Sequence, residues 1–410
     1  MFKYFRKELS IIRKDPKLLF TIPFAFIILI LLLPLKFIFF VRFGFLHSDR
    51  IGHFAMNTEL SILEDIKFKN QSKYDFYYFG GNICNNFLGK KWSEKLNIFP
   101  KFFIRPFCLV ARRFKIFKHN IAGSTLSSDN DVMNLIEKYP SQIKLSNQEL
   151  KKGYQILNSI GLKKKAKIVC LIVRDDGYLT KIYGKKQSYH DFRNVDIRLF
   201  KKSINILISK GYYVFRMGDY TKFKLNIFSK NYFDYSNSKI KSDFMDIFLG
   251  YICKLCVSTH TGFDAVPFIF RKPILHIASM PLGIFATGSK KIMVTTKIHK
   301  ARLGKKKLTI DQIFSNNLAF SLNGDEFKRK RIILSDPSAD EIKNSTLDMI
   351  NYINNSFKLS KRNEINNKLF WKKYKKLYLK HLPKDKIHGK IKCKISPSFL
   401  RTNRGWLLND

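Results

Sequence analysis

Carboxylates are scarce in this chain. Its 410 residues hold 31 Asp and Glu against 76 Lys and Arg, a formal net charge of +45. Such an imbalance suits anionic partners, and nucleic acid is the first to consider. No zinc-finger, RRM-like or helix-turn-helix signature accompanies the charge. The lysines are spread along the whole chain among abundant Ile, Phe and Asn, the mixture that AT-rich coding produces. Nucleic acid is therefore not an expected partner, and attraction to anionic lipid is the better use for the charge.

Cysteine is also sparse: Cys84, Cys108, Cys170, Cys253, Cys256 and Cys393 are scattered, which makes no disulfide framework and demands no oxidising compartment. Cys253 and Cys256 match a C-x-x-C spacing, but they lie in an apolar run with no second pair at ligand spacing. No metal site is expected there. Internal repeats are absent. One long apolar segment exists, over residues 18–36, uncharged from Leu18 to Leu35 and closed by Lys36, preceded by a basic tail over 1–17. Its core just reaches the length needed to cross a bilayer. It holds Pro23 and Pro34 and has no small-residue cleavage site, so a removable signal peptide is disfavoured. A single span and insertion into one leaflet both remain, because both flanks are basic. Either way the expectation is a membrane-associated protein with its catalytic domains on the cytoplasmic face.

What is present is a strand, a turn of small residues, a helix and a strand between Cys253 and Gly283. The turn reads Ser258-Thr259-His260-Thr261-Gly262. Hydroxyl residues and Gly at the carboxyl end of a strand, opening onto a helix, make a ready anion site, because the first helical N–H groups lack partners and the dipole favours negative charge. A plain βα connection has the same composition.

Strands alternating with helices continue along the chain. A strand over 37–45 leads to Asp49 and His53, then a helix and a second strand over 74–79. Ser146 and Glu149 have the spacing of a capping box. A buried strand over 167–173 ends in Arg174-Asp175-Asp176-Gly177-Tyr178, and another over 211–215 ends in Arg216. Helices are expected from Asp196, Asp243 and Ser338. This order implies parallel, doubly wound α/β sheets, with polar residues clustered at strand ends. The expected domains are 37–150, 151–357 and a basic helix and tail over 358–410.

Several segments together resemble a bacterial glycosyltransferase family: Arg50-Ile51-Gly52-His53, Arg174 to Tyr178, Phe192-Arg193-Asn194-Val195-Asp196-Ile197, Gly211 to Gly218, the Ser242-Asp243 helix start, Ser258 to Gly262, and Ile395-Ser396-Pro397-Ser398-Phe399-Leu400. More distantly, Arg174 followed by Asp is similar to a motif of fucosyltransferase-like enzymes. The 258–262 turn resembles the donor-site turn of heptosyltransferases. The resemblance implies the GT-B architecture, two Rossmann-like domains facing across a cleft, with 37–150 on the acceptor side and 151–357 holding a nucleotide sugar.

On that basis Arg174, Arg193 and Arg216, with Ser258, Thr259, His260, Thr261 and Gly262, are expected around the diphosphate. They would offset leaving-group charge without a metal or other cofactor, the nucleotide sugar being a co-substrate. Asp234 is a candidate for ribose or base, or a turn cap. His53 is the candidate general base, with Asp49 as fallback. Asp175 and Asp176 are adjacent at a strand end and are expected on opposite faces, so not in one site. The acceptor expected is a surface glycan or lipid-linked. Two other functions fit the same residues: a sugar-nucleotide epimerase of this layout, and a non-enzymatic basic binder of membrane or nucleic acid.

Overall fold

The computed structural model describes residues 15–68, 73–123, 131–177, 180, 184, 188–219, 221, 223–304, 306–383 and 389–407. Most of the basic N-terminal tail and Tyr178 fall outside them. The described chain divides into two compact units, with the division between 123 and 131.

The first unit carries a parallel sheet in the order β1-β2-β3, formed by β1 (Phe40–Leu46), β2 (Lys73–Phe79) and β3 (Asn97–Ile98). Its helices are α1 (Leu18–Leu32), α2 (Ile51–Phe68), α3 (Asn86–Ser93) and α4 (Lys101–Arg113). A core of Ala25, Leu29, Phe43, Ile104, Cys108 and Phe117 joins α1 and α4 to the sheet. Burying such apolar side chains stabilises by roughly 1.5–3 kcal/mol each.

The apolar run is shorter as a helix than the sequence suggests. Pro34 opens a separate 3₁₀ turn, Pro34–Phe37, so α1 stops after 15 residues. At 1.5 Å per residue that is about 22 Å, short of a hydrocarbon core of about 30 Å. No helix among the described residues is long and apolar enough to cross a membrane. One face of α1, with Ala25 and Leu29, is buried, and Phe26 meets the rings of Phe114 at 5.2 Å and Phe117 at 5.7 Å. Phe20, Phe24, Ile27 and Leu31, spaced three or four apart, are exposed on another.

The second unit opens with α5 (Asn147–Ser159), whose start is the expected capping box: Ser146 accepts from the Glu149 N–H and Glu149 accepts from the Ser146 N–H. This helix packs into the second unit. A Cβ on Gly153 would sit 2.2 Å from the Phe248 ring, so only glycine allows that approach.

The sheet consists of β4 (Lys167–Ile172), β5 (Tyr212–Arg216), β6 (Tyr232–Phe233), β7 (Leu255–Ser258), β8 (Ile274–Ser279), β9 (Ile292–Thr296) and, from the tail, β12 (Lys394–Ile395). Its spatial order is β12-β9-β8-β7-β4-β5-β6, and every pairing is parallel. Counted within the sheet this is the doubly wound order 3-2-1-4-5-6 with one strand added. It reverses direction between β4 and β7.

Helices α6 (Lys201–Ser209), α7 (Asp243–Ile252), the short α8 (Ala265–Ile269), α9 (Ile310–Ser315), α10 (Gly324–Arg329) and α11 (Ala339–Ile353) follow the strands. Phe200, Ile204, Leu207, Met349 and Ile350 pack on Val169, Leu171 and Val257. A separate antiparallel ribbon pairs β10 (Ile298–Ala301) with β11 (Ile332–Ser335).

The tail is part of this unit. Within α12 (Lys361–His381), Phe370 and Tyr374 are fully buried. In the closing Ile395-to-Leu400 segment, Ser396 caps α13 (Pro397–Thr402). Asp348 on α11 accepts from the Ser396 hydroxyl at 2.7 Å and from the Ser398 N–H and hydroxyl at 2.9 Å. Those serines latch the chain end onto α11.

Candidate functional site

In doubly wound sheets, ligands bind outside the carboxyl ends of the strands, where the strand order reverses. Here that point lies between β4 and β7, whose last paired residues are Ile172 and Ser258. The chain leaves β4 into Arg174 and leaves β7 into Thr259, and the two exits are tied together. The Arg174 N–H donates to Thr259 Oγ1 at 2.7 Å, and Arg193 Nη2 donates to the His260 carbonyl at 2.6 Å. Segments far apart in sequence thus converge at one crevice.

The turn is held from beneath. Asp264, six residues past Ser258, is buried with one carboxylate oxygen at the centre of three contacts. Ser258 Oγ donates to Oδ2 at 2.7 Å, the Thr261 N–H donates at 2.9 Å, and His276 Nε2 lies 3.3 Å away. Burial alone would raise the Asp264 carboxyl, but the hydrogen bond and charge of His276 outweigh it and hold it below its ordinary value.

His260 adopts a left-handed φ of 58°, which costs roughly 1–2 kcal/mol outside glycine. Its ring stacks on His276 with centroids 4.6 Å apart, and its Nδ1 lies 3.2 Å from Ser279 Oγ. A register shift between His276 and Ser279, with Ala278 at φ 56°, brings Ser279 to that position. Burial above all, and then the charges of His276, Arg193 and Arg174, push the His260 imidazole down to about 3, against a contrary pull from Asp264. It is therefore neutral at pH 7.

The expected cradle is assembled differently from its outline in sequence. Ser258 and Thr259 are 0% and 2% exposed, and their hydroxyls serve internal bonds. The helix behind the turn, α8, has only five residues. The anion at its start is the chain's own Asp264. The turn presents the exposed Gly262 and Thr261, whose hydroxyl has no hydrogen-bond partner among the described residues, beside Arg174 and Arg193, whose charges act on His260.

Arg216 and Asp234 lie one strand over, at the end of β5 and just after β6. Arg216 is 3% exposed and its Nη1 sits 3.9 Å from Asp234 Oδ2, so the two are partners of each other. Asp234 also accepts from the Ser236 hydroxyl and the Asn237 amide, so its carboxylate is engaged within its own turn. Asp246 is likewise internal. It accepts from the Tyr235 hydroxyl at 2.8 Å, and burial pushes its carboxyl up to about 6.

Asp175 and Asp176 depart from expectation. Both line one cavity of about 210 Å³ with Asn194 and Asp196. Alternation fails because β4 ends at Ile172 and Asp175 forms a tight turn, accepting from the Gly177 N–H at 2.9 Å. No sequence signal marks Lys297. It is 4% exposed, donates to the Asn194 carbonyl at 2.6 Å and pairs with Asp336 at 2.7 Å, fixing the 193–196 segment beside the cavity.

In the first unit, His53 lies in the first turn of α2, with its ring 5.7 Å from that of His47. Asp49 is exposed at the end of β1, packed against Gly81. Ser48 clamps the two strand ends by donating to the Gly81 carbonyl at 2.9 Å and accepting from its N–H.

No protein-family model matches this sequence, and no curated protein matches it. Two solved structures are similar to it. One is the Escherichia coli ADP-heptose LPS heptosyltransferase II, 12% identical with a TM-score of 0.40, the match covering 65% of this chain and 92% of that one. The other is a glycosyl transferase family 9 protein from Veillonella parvula DSM 2008, 11% identical with a TM-score of 0.40, covering 63% of this chain and 86% of that one.

Proposed function

We propose that this protein is a glycosyltransferase that holds a nucleotide sugar at the carboxyl edge of β4 and β7 and moves the sugar to a surface-glycan or lipid-linked acceptor. The observation that carries the reading is the convergence of Arg174 and Arg193 on the 258–262 turn at the strand-order reversal. The Arg174 main chain and the Arg193 guanidinium both bond this turn, and the charges of the two arginines beside it suit a diphosphate and would offset the negative charge that builds on the departing nucleoside diphosphate. No resident metal or cofactor enters this scheme. Asp175 and Asp176, in the adjoining cavity, are acceptors suited to sugar hydroxyls. The sequence resemblance to a glycosyltransferase family supports the same assignment.

The proposal includes a GT-B division of labour, with acceptor activation by the first unit and donor binding by the second. His53 is the base that takes the acceptor hydroxyl proton as oxygen attacks the anomeric carbon and the nucleoside diphosphate leaves. It also includes attachment to the cytoplasmic membrane surface through the exposed Phe20, Phe24, Ile27 and Leu31 face, aided by the net positive charge.

The test is nucleoside diphosphate release from a panel of nucleotide sugars, with and without glycan and lipid-linked acceptors. Acceptor-dependent release is expected. His53→Ala is expected to lower kcat by about a hundred- to ten-thousand-fold with donor KM within about threefold. Epimerised free nucleotide sugar formed without any acceptor would replace this reading with an epimerase.

A further inference from the structure

The opposite edge of the same sheet holds a second cavity, of about 580 Å³, where strands β4, β5, β7, β8 and β9 begin. Lys167 opens β4, Lys254 precedes β7, Lys272 lies just ahead of β8 and Lys291 precedes β9. All four line the cavity with the aromatic rings of Tyr212 and Phe270, and no carboxylate is among its described lining residues. Strands in a sheet lie about 4.8 Å apart, so a row from β4 across β7 and β8 to β9 spans about 14 Å. That is room for several anionic groups in line.

Helix C-termini explain part of this charge. Cys253, Phe270 and Asn354, the C-caps of α7, α8 and α11, also line the cavity. Each helix end carries about half a negative charge at most, so three give about −1.5 against four ammonium groups. The surplus is positive. Crowding is visible at Lys272: burial holds its ammonium below the ordinary value, and the charges of Lys254 and Lys291 press the same way. A bound anion removes that repulsion.

We propose that this amino-edge cavity binds a ligand bearing clustered phosphates, a di- or triphosphate group, at a site separate from the carboxyl-edge crevice. The four lysines contact the phosphates, and Tyr212 and Phe270 wall the space beside them. The phosphates come either from a soluble molecule or from a lipid headgroup.

Calorimetric titration of the full chain with inorganic tripolyphosphate tests the soluble source. Co-sedimentation with vesicles of phosphatidylcholine containing phosphatidic acid tests the lipid one. Each is run on the wild type, on Lys254→Gln/Lys272→Gln/Lys291→Gln, on the single Lys272→Gln, and on a control, Lys201→Gln/Lys210→Gln/Lys375→Gln, that removes the same charge from exposed positions outside the cavity. Saturable binding in either arm is expected, weakened at least tenfold in the cavity triple, about threefold in the single variant and less than twofold in the control. Equal weakening by the control, or no saturable binding in either arm, overturns the proposal.

Discussion

Asp264→Ala is expected to destabilise the second unit by about 3–5 kcal/mol, the largest loss from any single side chain at the site. The substitution removes a partner from three groups at once: the Ser258 hydroxyl, the Thr261 N–H and the His276 ring, all within 3.3 Å of one carboxylate oxygen. Ser258 and His276, 0% and 4% exposed, have no water-exposed alternative, whereas the Thr261 N–H keeps a second acceptor in Ser258 Oγ at 3.3 Å. The left-handed His260 turn loses its support as well. A fall in melting temperature on the order of 10 °C follows. Asp264→Asn keeps an acceptor for Ser258 and Thr261 but removes the charge facing His276, and is expected to lose about half as much. Thermal unfolding followed by circular dichroism measures both. An Asp264→Ala protein within about 0.5 kcal/mol of the wild type would show that the carboxylate does not tie the turn.

Acid is expected to destabilise the same unit well above the range of ordinary carboxylate titration. Burial pushes His260 down to about 3 and His299 down to about 4, against about 6.5 in an unfolded chain. Between those values the unfolded chain binds a proton that the folded chain does not, so stability is fully present above pH 6.5 and falls with pH, at about 1.4 kcal/mol per unit for each histidine. Asp246 works the other way. Its folded value of about 6 lies above the unfolded 3.9, so its burial costs stability as pH rises through that interval, at a similar slope. Asp131, whose carboxyl burial also raises, works in the same direction as Asp246, and the two histidines outweigh these two carboxylates. Asp264, held low, contributes stability that is lost only below about pH 4.

The net expectation is a loss of about 3 kcal/mol between pH 6.5 and 4.5. Urea unfolding, read by hydrogen exchange of the β4 and β7 amides, measures it. His299→Leu should make the profile nearly flat between pH 6 and 4.5, because His260 and Asp246 then cancel. A His299→Leu profile as steep as the wild type would assign the acid sensitivity elsewhere.

Features set by nearby residues were legible in the sequence. The Ser146 and Glu149 capping box, the Ser242 and Ser338 helix starts and the 253–283 strand-turn-helix-strand all depend on contacts within a few positions. Parallel α/β organisation followed from their alternation. The expected convergence of Arg174 with the 258–262 turn was also recoverable, since strand ends of one sheet share an edge. The support beneath the turn was not. Nothing local in the sequence links Asp264 to His276, and only the pairing of β7 with β8, which sets His276 beside Ser258, brings them together. Asp175 and Asp176 were misplaced because the alternation rule was carried past the strand's end. The apolar run over 18–36 looked uniform because composition does not say which face of α1 a neighbouring helix covers. The amino-edge lysines are separated by up to 124 positions (167 to 291), and nothing local marks them as one group.

The central claim is that the β4 and β7 carboxyl edge binds the diphosphate of a nucleotide sugar through Arg174. Calorimetric titration with UDP, GDP, ADP and CDP tests it most directly, on the wild type and on Arg174→Ala in a Lys254→Gln/Lys272→Gln/Lys291→Gln background that silences the amino-edge cavity. One nucleotide is expected to bind saturably in that background and to weaken at least tenfold on Arg174→Ala, a change of about 1.4 kcal/mol or more. No saturable binding of any of the four, or binding unchanged by Arg174→Ala, would contradict the account.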